Sequence, residues 1–159
     1  MNLRPGAVKR ILSLPLPSST RKAYKQFMED ILDFHQEVTK FFDAFVVAFS
    51  TFDGRQVARL YRAPYLAVQR DGSAVAFNTQ AEVESYFQMM VEDYSGKGCH
   101  SGRFADLEIT PLGSQAVVAS VTWYIGGAKG ETLATWRQSY NLVRLDGLLY
   151  VVASVDHAR

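Results

Sequence analysis

Residues 132–155 read TLATWRQSYNLVRLDGLLYVVASV, and this stretch decides the fold. Apolar and polar residues alternate on both sides of Asp146-Gly147, a dipeptide that is typical of a tight turn between antiparallel strands. A two-residue turn places Leu145 opposite Leu148. The stretch therefore predicts a long β-hairpin.

The pairing of this hairpin sorts its side chains into two faces, because neighbouring residues of a strand point to opposite sides of the sheet. Counting back from the turn puts Tyr140 opposite Ala153, and Arg137 opposite Asp156 as a cross-strand ion pair. One face is largely apolar and collects Trp136, Gln138, Tyr140, Leu142, Val151, Ala153 and Val155. The other face is mixed and collects Arg137, Ser139, Asn141, Val152, Ser154 and Asp156. We expect the first face to meet the helices and the second to be solvated or paired with another subunit.

Two further strands precede the hairpin, from Arg103 to Pro111 and from Gln115 to Ile125. A six-residue loop after Ile125 continues the apolar face through Val117, Ala119, Val121 and Trp123. The last third of the chain therefore predicts a four-stranded antiparallel meander.

The first half of the chain has helical periodicity. Apolar residues recur every three or four positions from about Thr20 to Phe49 without glycine or proline, which predicts a long amphipathic helix. Asp53 with Gln56 predicts the start of a second, short helix, and Thr79 with Glu82 predicts a capping box for a third.

Two short strands are predicted between the second and third helices. Tyr65 to Gln69 and Ala74 to Phe77 flank the turn dipeptide Asp71-Gly72. With 159 residues, of which 48% are hydrophobic, the chain is long enough for one well-buried core and too short for two ordinary domains. The predicted class is a single α+β domain.

This order of elements resembles the nuclear transport factor 2-like superfamily, which includes the SnoaL-like domains. The similarity covers about residues 30–157 and rests on Asp53-Gly54, on residues 78–82 that open the third helix, and on residues 136–155. The resemblance implies a cone-shaped, cystatin-like α+β fold with three helices packed on a curved, mainly antiparallel sheet. It also implies a pocket between sheet and helices and, often, a dimer through the outer sheet face. It does not imply one chemistry.

The ketosteroid isomerases of that superfamily use a helix tyrosine, an aspartate base near the first strand and an acidic donor in the meander. The corresponding positions here are Phe45, Gln69, and Tyr140 or Asn141, so all three depart from the pattern. A neutral glutamine amide cannot take up a proton, which argues against isomerisation by that mechanism.

An aromatic pocket is the first of two functional hypotheses. Its predicted ligand-binding residues are Phe45, Tyr61, Tyr65, Trp123, Trp136 and Tyr140, with Gln138 as a polar anchor. Apolar walls with few polar groups are the usual composition of a small-molecule site, although the same rings are as typical of an ordinary core. The hypothesis is a SnoaL-like domain that binds an apolar or aromatic compound, with lyase, isomerase or hydrolase activity as its possible chemistry.

His157 is the candidate catalytic acid–base residue. If the last strand continues beyond Asp156, the ring of His157 lies opposite Trp136 at the mouth of the pocket. The alternative is a solvated histidine near the end of the chain. Cys99-His100 has no second pair at a spacing that completes a tetrahedral metal site, so we predict neither a metal nor a cofactor. A single cysteine also fits a reducing, cytoplasmic location.

The charge pattern concerns the N-terminal segment and the second hypothesis. The chain has 17 basic and 16 acidic residues, a balance that gives no general attraction to nucleic acid or anionic membranes. Residues 1–28 nevertheless carry six basic residues and no acidic one, and we predict a basic arm or tail ahead of a domain at residues 29–159. A transit peptide is the alternative for this segment. The second hypothesis is a non-catalytic homodimeric module that uses the outer sheet face and the arm for assembly.

Overall fold

The structure, a computed structural model, describes residues 17–158. In these residues the helices are α1 (Ser18–Ser50), α2 (Gly54–Ala58) and α3 (Gln80–Gly96). The strands are β1 (Tyr61–Val68), β2 (Ala74–Phe77), β3 (Cys99–Pro111), β4 (Ala116–Gly127), β5 (Thr132–Leu145) and β6 (Leu148–Asp156). The predicted α+β class, the three helices and the four-stranded meander are confirmed. Of the predicted basic arm, residues 1–16 lie outside the described residues.

Helix α1 supplies one side of the core. The chain divides into two compact units after Asp33, and Phe34 begins the unit that contains the whole sheet. Within that unit, α1 buries residues at three- and four-residue spacing: Phe34, Val38, Phe41, Phe42 and Phe45. The periodicity that predicted an amphipathic helix therefore identifies the face that packs in the core.

Helix α2 begins at the predicted cap. The Asp53 carboxylate accepts a hydrogen bond of 2.9 Å from the Arg55 backbone N–H. Gln56 does not complete a capping box, because its Oε1 accepts a hydrogen bond from the Arg59 guanidinium. Tyr61 lies beyond the end of this helix and opens β1.

The start of α3 and its packing against α2 explain two of the recognisable motifs. Thr79 and Glu82 form the predicted capping box, with the Glu82 N–H donating to Thr79 Oγ1 and the Thr79 N–H donating to Glu82 Oε2 at 3.0 Å. Gly54 lies against the backbone of α3, where a Cβ atom would come within 2.2 Å of Gln88 N. Glycine at this position allows α2 and α3 to approach closely.

The sheet has the strand order β2-β1-β6-β5-β4-β3. Strands β3 to β6 form the antiparallel meander, β1 pairs in parallel with β6, and β2 pairs antiparallel with β1. The parallel pairing brings the end of β1 beside the end of β6. Residues far apart in the sequence therefore meet on the inner face.

The β4–β5 register differs from the predicted one by two residues. A six-residue loop would have paired Ile125 with Thr132, whereas the observed partner is Ala134. Side chains alternate with a period of two, so this shift leaves every side chain on its predicted face. Trp123 and Trp136 accordingly lie opposite each other on the inner face.

The β5–β6 register is interrupted by a bulge. Leu142 pairs with Val151 and Asn141 with Ala153, which leaves Val152 as an extra residue. The regular hairpin predicted from the two-residue turn is therefore correct near the turn and wrong beyond Val152.

The bulge reverses the faces of the last residues of β6. Tyr140 pairs with Ser154 rather than with Ala153, and Gln138 pairs with Asp156. Ser154 is buried and both Ser154 and Asp156 lie on the inner face, contrary to the prediction. Val155, predicted for the inner face, is 39% exposed.

The predicted ion pair between Arg137 and Asp156 is also wrong. Arg137 lies on the outer face, where its Nη2 is 2.9 Å from Glu108 Oε2 and its Nη1 donates to the Asp106 carbonyl at 3.0 Å. Asp156 is consequently free of this arginine and faces the interior.

Candidate functional site: an aromatic cavity on the inner sheet face

A cavity of about 460 Å³ lies between the inner face of the sheet and the helices α1 and α3. Its wall is mainly aromatic: Phe45, Phe49, Tyr61, Tyr65, Tyr86, Phe87, Tyr94, Trp123, Trp136 and Tyr140. Its polar or charged wall residues are Gln69, Arg70, Asp71, Gln138, Ser154 and Asp156. All seven residues predicted from the sequence to bind a ligand thus lie on one cavity wall, and their role in binding stays a prediction.

The aromatic rings hold one another in place. Phe45 of α1 packs on Trp123 with ring centroids 5.1 Å apart, and Tyr61 packs on Phe87 of α3 at 4.3 Å. Tyr94 of α3 contacts the Trp136 ring at 6.2 Å with nearly parallel planes. Contacts of this kind add to the stability gained by burying the rings, so the rings fix one another's positions in the wall.

A chain of hydrogen bonds crosses four strands beneath these rings. Trp123 Nε1 donates to the Tyr140 hydroxyl at 2.7 Å, and that hydroxyl donates to Gln138 Oε1. Gln138 Nε2 donates to Ser154 Oγ at 3.4 Å, and Ser154 Oγ lies 2.7 Å from the Tyr65 hydroxyl. The chain satisfies polar groups whose burial would otherwise be unfavourable, and it fixes the orientation of the Gln138 amide.

The buried tyrosines act as neutral hydroxyl groups. Burial raises the pKa of the Tyr94 phenol to about 12 and also raises the pKa values of Tyr61, Tyr65 and Tyr140 above their usual range. These phenols therefore remain protonated at physiological pH.

Asp156 is a carboxylate that faces the aromatic part of the cavity. It is half-buried, and its Oδ1 is shielded from solvent with no hydrogen-bond partner among residues 17–158. Burial raises the pKa of Asp156, while the positive charges of Arg70 and His157 act in the opposite direction. Its negative charge in turn raises the pKa values of the surrounding phenols of Tyr61, Tyr65, Tyr86, Tyr94 and Tyr140. A carboxylate in this setting can accept a hydrogen bond or a proton from a molecule in the cavity.

The sequence also matches a known family. A family model described as an NTF2-like protein (DUF6841) matches residues 36–159. The chain belongs to this NTF2-like family. The resemblance drawn from the order of its elements is thereby confirmed.

Solved structures share the fold of this NTF2-like protein at low sequence identity. Aln2 from a Streptomyces species is 18% identical with a TM-score of 0.65, over 79% of this chain and 91% of that one. An NTF2-like protein with a cystatin-like fold from Novosphingobium aromaticivorans is 10% identical with a TM-score of 0.65, over 91% and 92% of the two chains. An NTF-2 like protein of unknown function from Shewanella oneidensis MR-1 is 14% identical with a TM-score of 0.62, over 77% and 98%. At these identities the likeness establishes the NTF2-like, cystatin-like fold alone. Among curated proteins, none matches the sequence.

His157 lies on the opposite side of the NTF2-like sheet from the cavity. Its Nε2 is 2.7 Å from Ser139 Oγ, which is itself 2.6 Å from Ser120 Oγ on the outer face. The predicted position opposite Trp136 is wrong, because the bulge at Val152 reverses the face of every later residue. The acid–base role predicted for His157 stays a prediction that no contact at the cavity supports.

Sequence reasoning missed Ser154 and Asp156 as wall residues of this NTF2-like domain. The run Val151 to Asp156 contains a serine and an aspartate two positions apart, which is the spacing of residues on one strand face. That signal shows that the two residues belong together. It does not show which face they occupy, because the bulge decides this.

Two polar residues at the end of β1 and in the following turn complete the wall. Gln69 hydrogen-bonds to Tyr86 of α3 and so lowers the pKa that burial of Tyr86 raises. Asp71 is exposed and accepts a hydrogen bond of 2.9 Å from the Ser73 N–H in the β1–β2 turn. The Asp71 carboxylate is therefore already engaged, unlike Oδ1 of Asp156.

The described residues also limit other kinds of site. Within residues 17–158, no group of three or more His, Cys, Asp or Glu side chains is arranged to hold a metal ion. Cys99 is buried and carries a free thiol. No helix in this part of the chain has the length and apolar character needed to cross a membrane.

Proposed function

We propose that this NTF2-like domain binds a small apolar or aromatic compound in the cavity. The observation that carries the proposal is an aromatic cavity of about 460 Å³ with few polar wall groups. Binding sites for small molecules are typically about 300–1,000 Å³ in volume and have this composition.

The rigidity of the wall supports the proposal. Gln138 is held on both sides, by Tyr140 and by Ser154, and Trp136 Nε1 donates to its Oε1 at 3.4 Å. A ligand that enters such a site orders few side chains, so little of its interaction energy is lost to conformational entropy.

Any lyase, isomerase or hydrolase activity requires a group that moves a proton. Asp156 is the wall residue that best supports this chemistry, because its carboxylate faces the cavity and its pKa is raised by burial. We propose binding as the function and Asp156 as the acid–base residue of any such reaction.

Two neighbouring methionines of α3 allow a matched test of binding. Met90 lines the cavity, whereas Met89 points outward and is 59% exposed. Purified protein is screened by thermal shift against aromatic ketones, phenols and polycyclic compounds, since a ligand that binds the native state raises its melting temperature. We expect a saturable rise for wild type and for Met89→Trp, and its loss in Met90→Trp, where the larger side chain occupies the cavity.

The outcome that contradicts the proposal is equally direct. Stabilisation that is undiminished in a folded Met90→Trp variant would place the binding site elsewhere. No saturable rise with any of these compounds would reject binding of this class of ligand.

The second candidate function is a homodimeric assembly module that uses the outer sheet face. Its support is a set of exposed apolar side chains on that face: Leu66, Leu145, Leu148 and Val155. We propose that a second copy of this chain covers them. Light scattering after size exclusion is expected to give a dimer mass for wild type and a monomer mass for Leu66→Glu. A wild type that is monomeric at high concentration would reject this module.

We propose no nucleic-acid or membrane partner, and a cytoplasmic location. The balanced charge of the chain supports the first statement, and the single free thiol of Cys99 supports the second. Fractionation of expressing cells, with the protein detected by antibody, checks the location.

A further inference from the structure

We infer that the compound bound in this cavity presents a hydrogen-bond donor, a hydroxyl or N–H group, to the carboxylate of Asp156. The inference rests on the proposed function, since it specifies the polar end of a ligand whose apolar part fills the aromatic wall. It separates phenols, alcohols and amines from ethers, hydrocarbons and carboxylates of the same shape.

The hydrogen-bond chain of the wall joins Trp123, Tyr140, Gln138, Ser154 and Tyr65 and does not involve Asp156. The indole N–H of Trp123 bonds to Tyr140, and the Tyr140 hydroxyl bonds to Gln138. The Gln138 amide bonds to Ser154, and Ser154 bonds to the Tyr65 hydroxyl. None of the bonds in this chain is made to Asp156.

Within the described part of the chain, Asp156 itself is left with an unsatisfied carboxylate oxygen. Its Oδ1 has no hydrogen-bond partner among the described residues, although the atom is shielded from solvent. A buried acceptor without a partner is unfavourable, and Asp156 lines the cavity, so rotation of its carboxylate would bring this oxygen to a ligand donor and remove that penalty. The bulge at Val152 is what turns this carboxylate to the inner face.

The charges at the cavity wall also favour a hydrogen-bond donor beside Asp156. Arg70 lies on the cavity wall and is itself exposed, and its positive charge favours the ionised form of Asp156. An ionised carboxylate makes stronger hydrogen bonds than a neutral acceptor, and it repels a ligand carboxylate. The neutral oxygen of an ether has no hydrogen to donate and would leave Oδ1 as it is.

Four naphthalenes with one changed substituent provide the test. Dissociation constants of 2-naphthol, 2-methoxynaphthalene, 2-naphthylmethylamine and 2-naphthoate are measured by isothermal titration calorimetry at pH 7. The proteins are wild type, Asp156→Asn, which keeps the shape of the side chain, and Glu108→Gln, which makes the same change on the outer face. Melting temperatures establish that each variant is folded.

We expect 2-naphthol to bind wild type about tenfold more tightly than its methyl ether, because the hydroxyl makes a charge-assisted hydrogen bond. The preference should fall below about threefold in Asp156→Asn and remain in Glu108→Gln, and 2-naphthoate should bind better to Asp156→Asn than to wild type. The amine arm shows whether an ammonium group serves as well as a hydroxyl group, and preference for either over the ether supports the inference.

The result that overturns the inference is binding of both 2-naphthol and the amine no tighter than binding of the ether, or tighter binding of 2-naphthoate than of 2-naphthol, in wild type. In that case the cavity still binds aromatic compounds and the proposed function stands. If none of the four probes binds, the inference does not stand, and the thermal-shift screen decides separately whether the cavity binds another aromatic compound.

Discussion

The two faces of the meander differ in how deeply their hydrogen-bonded polar groups are buried. On the inner face, Trp123 and Tyr140 bond to each other at positions where burial removes them from water. On the outer face, Ser139 and His157 also bond to each other, but at half-buried positions that water can reach. The same interaction is therefore worth more inside, because a broken bond there leaves a group with no replacement partner.

The difference arises from single-residue alternation in each strand. Adjacent residues of β5 belong to different environments, so a substitution at one position has a matched control at the next. The comparison of faces can therefore be tested within one strand, with the backbone unchanged.

The largest expected effect is on apolar packing. Leu142 is fully buried on the inner face, and its neighbour Asn141 is exposed on the outer face. We expect Leu142→Ala to lower the free energy of unfolding by about 2–5 kcal/mol, through lost burial and a residual cavity. Asn141→Ala should change it by no more than about 0.5 kcal/mol. Urea denaturation measures both, and similar losses at the two positions would contradict the assignment of faces.

The next largest effect is on the inner hydrogen-bond chain. Tyr140→Phe removes the hydroxyl that joins Trp123 to Gln138, and we expect a loss of about 1–3 kcal/mol in the free energy of unfolding. Tyr124→Phe is the control, because its ring lies beneath Arg103 on the outer face, 3.8 Å from the guanidinium carbon, and is unchanged by the substitution. A loss at Tyr140 no greater than the loss at Tyr124 would show that water satisfies the inner groups.

Most of the fold could be predicted because its signals are local. The capping box of Thr79 and Glu82, the periodicity of α1 and the alternation along β4 each depend on residues within a few positions of one another. The parallel pairing of β1 with β6 could not be predicted, since no turn connects those strands. A pairing of that kind depends on how the whole chain packs.

The candidate site shows how register limits prediction. An error of two residues between β4 and β5 left Trp123 on its predicted face, whereas an error of one residue between β5 and β6 moved Asp156 from the outer face to the cavity. The extra residue, Val152, lies in the run Val151-Val152-Ala153, where apolar residues on both faces give no sign of a bulge. Aromatic wall residues were therefore predictable from composition and alternation, and the carboxylate was not.

Removing the Asp156 carboxylate is expected to have a smaller effect on the free energy of unfolding, and one of opposite sign. Asp156→Asn should raise the free energy of unfolding at pH 7 by roughly 0.5–1 kcal/mol, because it removes a charge that burial disfavours while water still reaches the exposed half of the residue. The melting temperature should rise by about 2 °C. A variant less stable than wild type would show that Asp156 is satisfied within the fold.

The stability that Asp156→Asn gains over wild type should depend on pH. The folded protein holds the proton of Asp156 more tightly than the unfolded chain, in which the pKa is near 3.8. Stability of the wild type therefore falls as pH rises through the interval between those two pKa values. The charged groups that act on Asp156 are Arg70 and His157, while the facing phenols of β1, α3 and β5 stay neutral. Thermal melts should show the advantage of Asp156→Asn shrinking as pH is lowered from 7 toward 4.

The smallest effect is expected on the outer face. Ser139→Ala breaks the row that joins Ser120 to His157, and water can replace both lost bonds, so the free energy of unfolding should change by no more than about 0.5 kcal/mol. Urea denaturation at low protein concentration measures this value, and a loss above about 1 kcal/mol would show that water does not reach the row. If a second copy covers the outer face, the loss should instead grow with protein concentration, because dimerisation would bury the unsatisfied partners of Ser139. Ser139→Ala therefore distinguishes an outer face that is exposed to water from one that a second subunit covers.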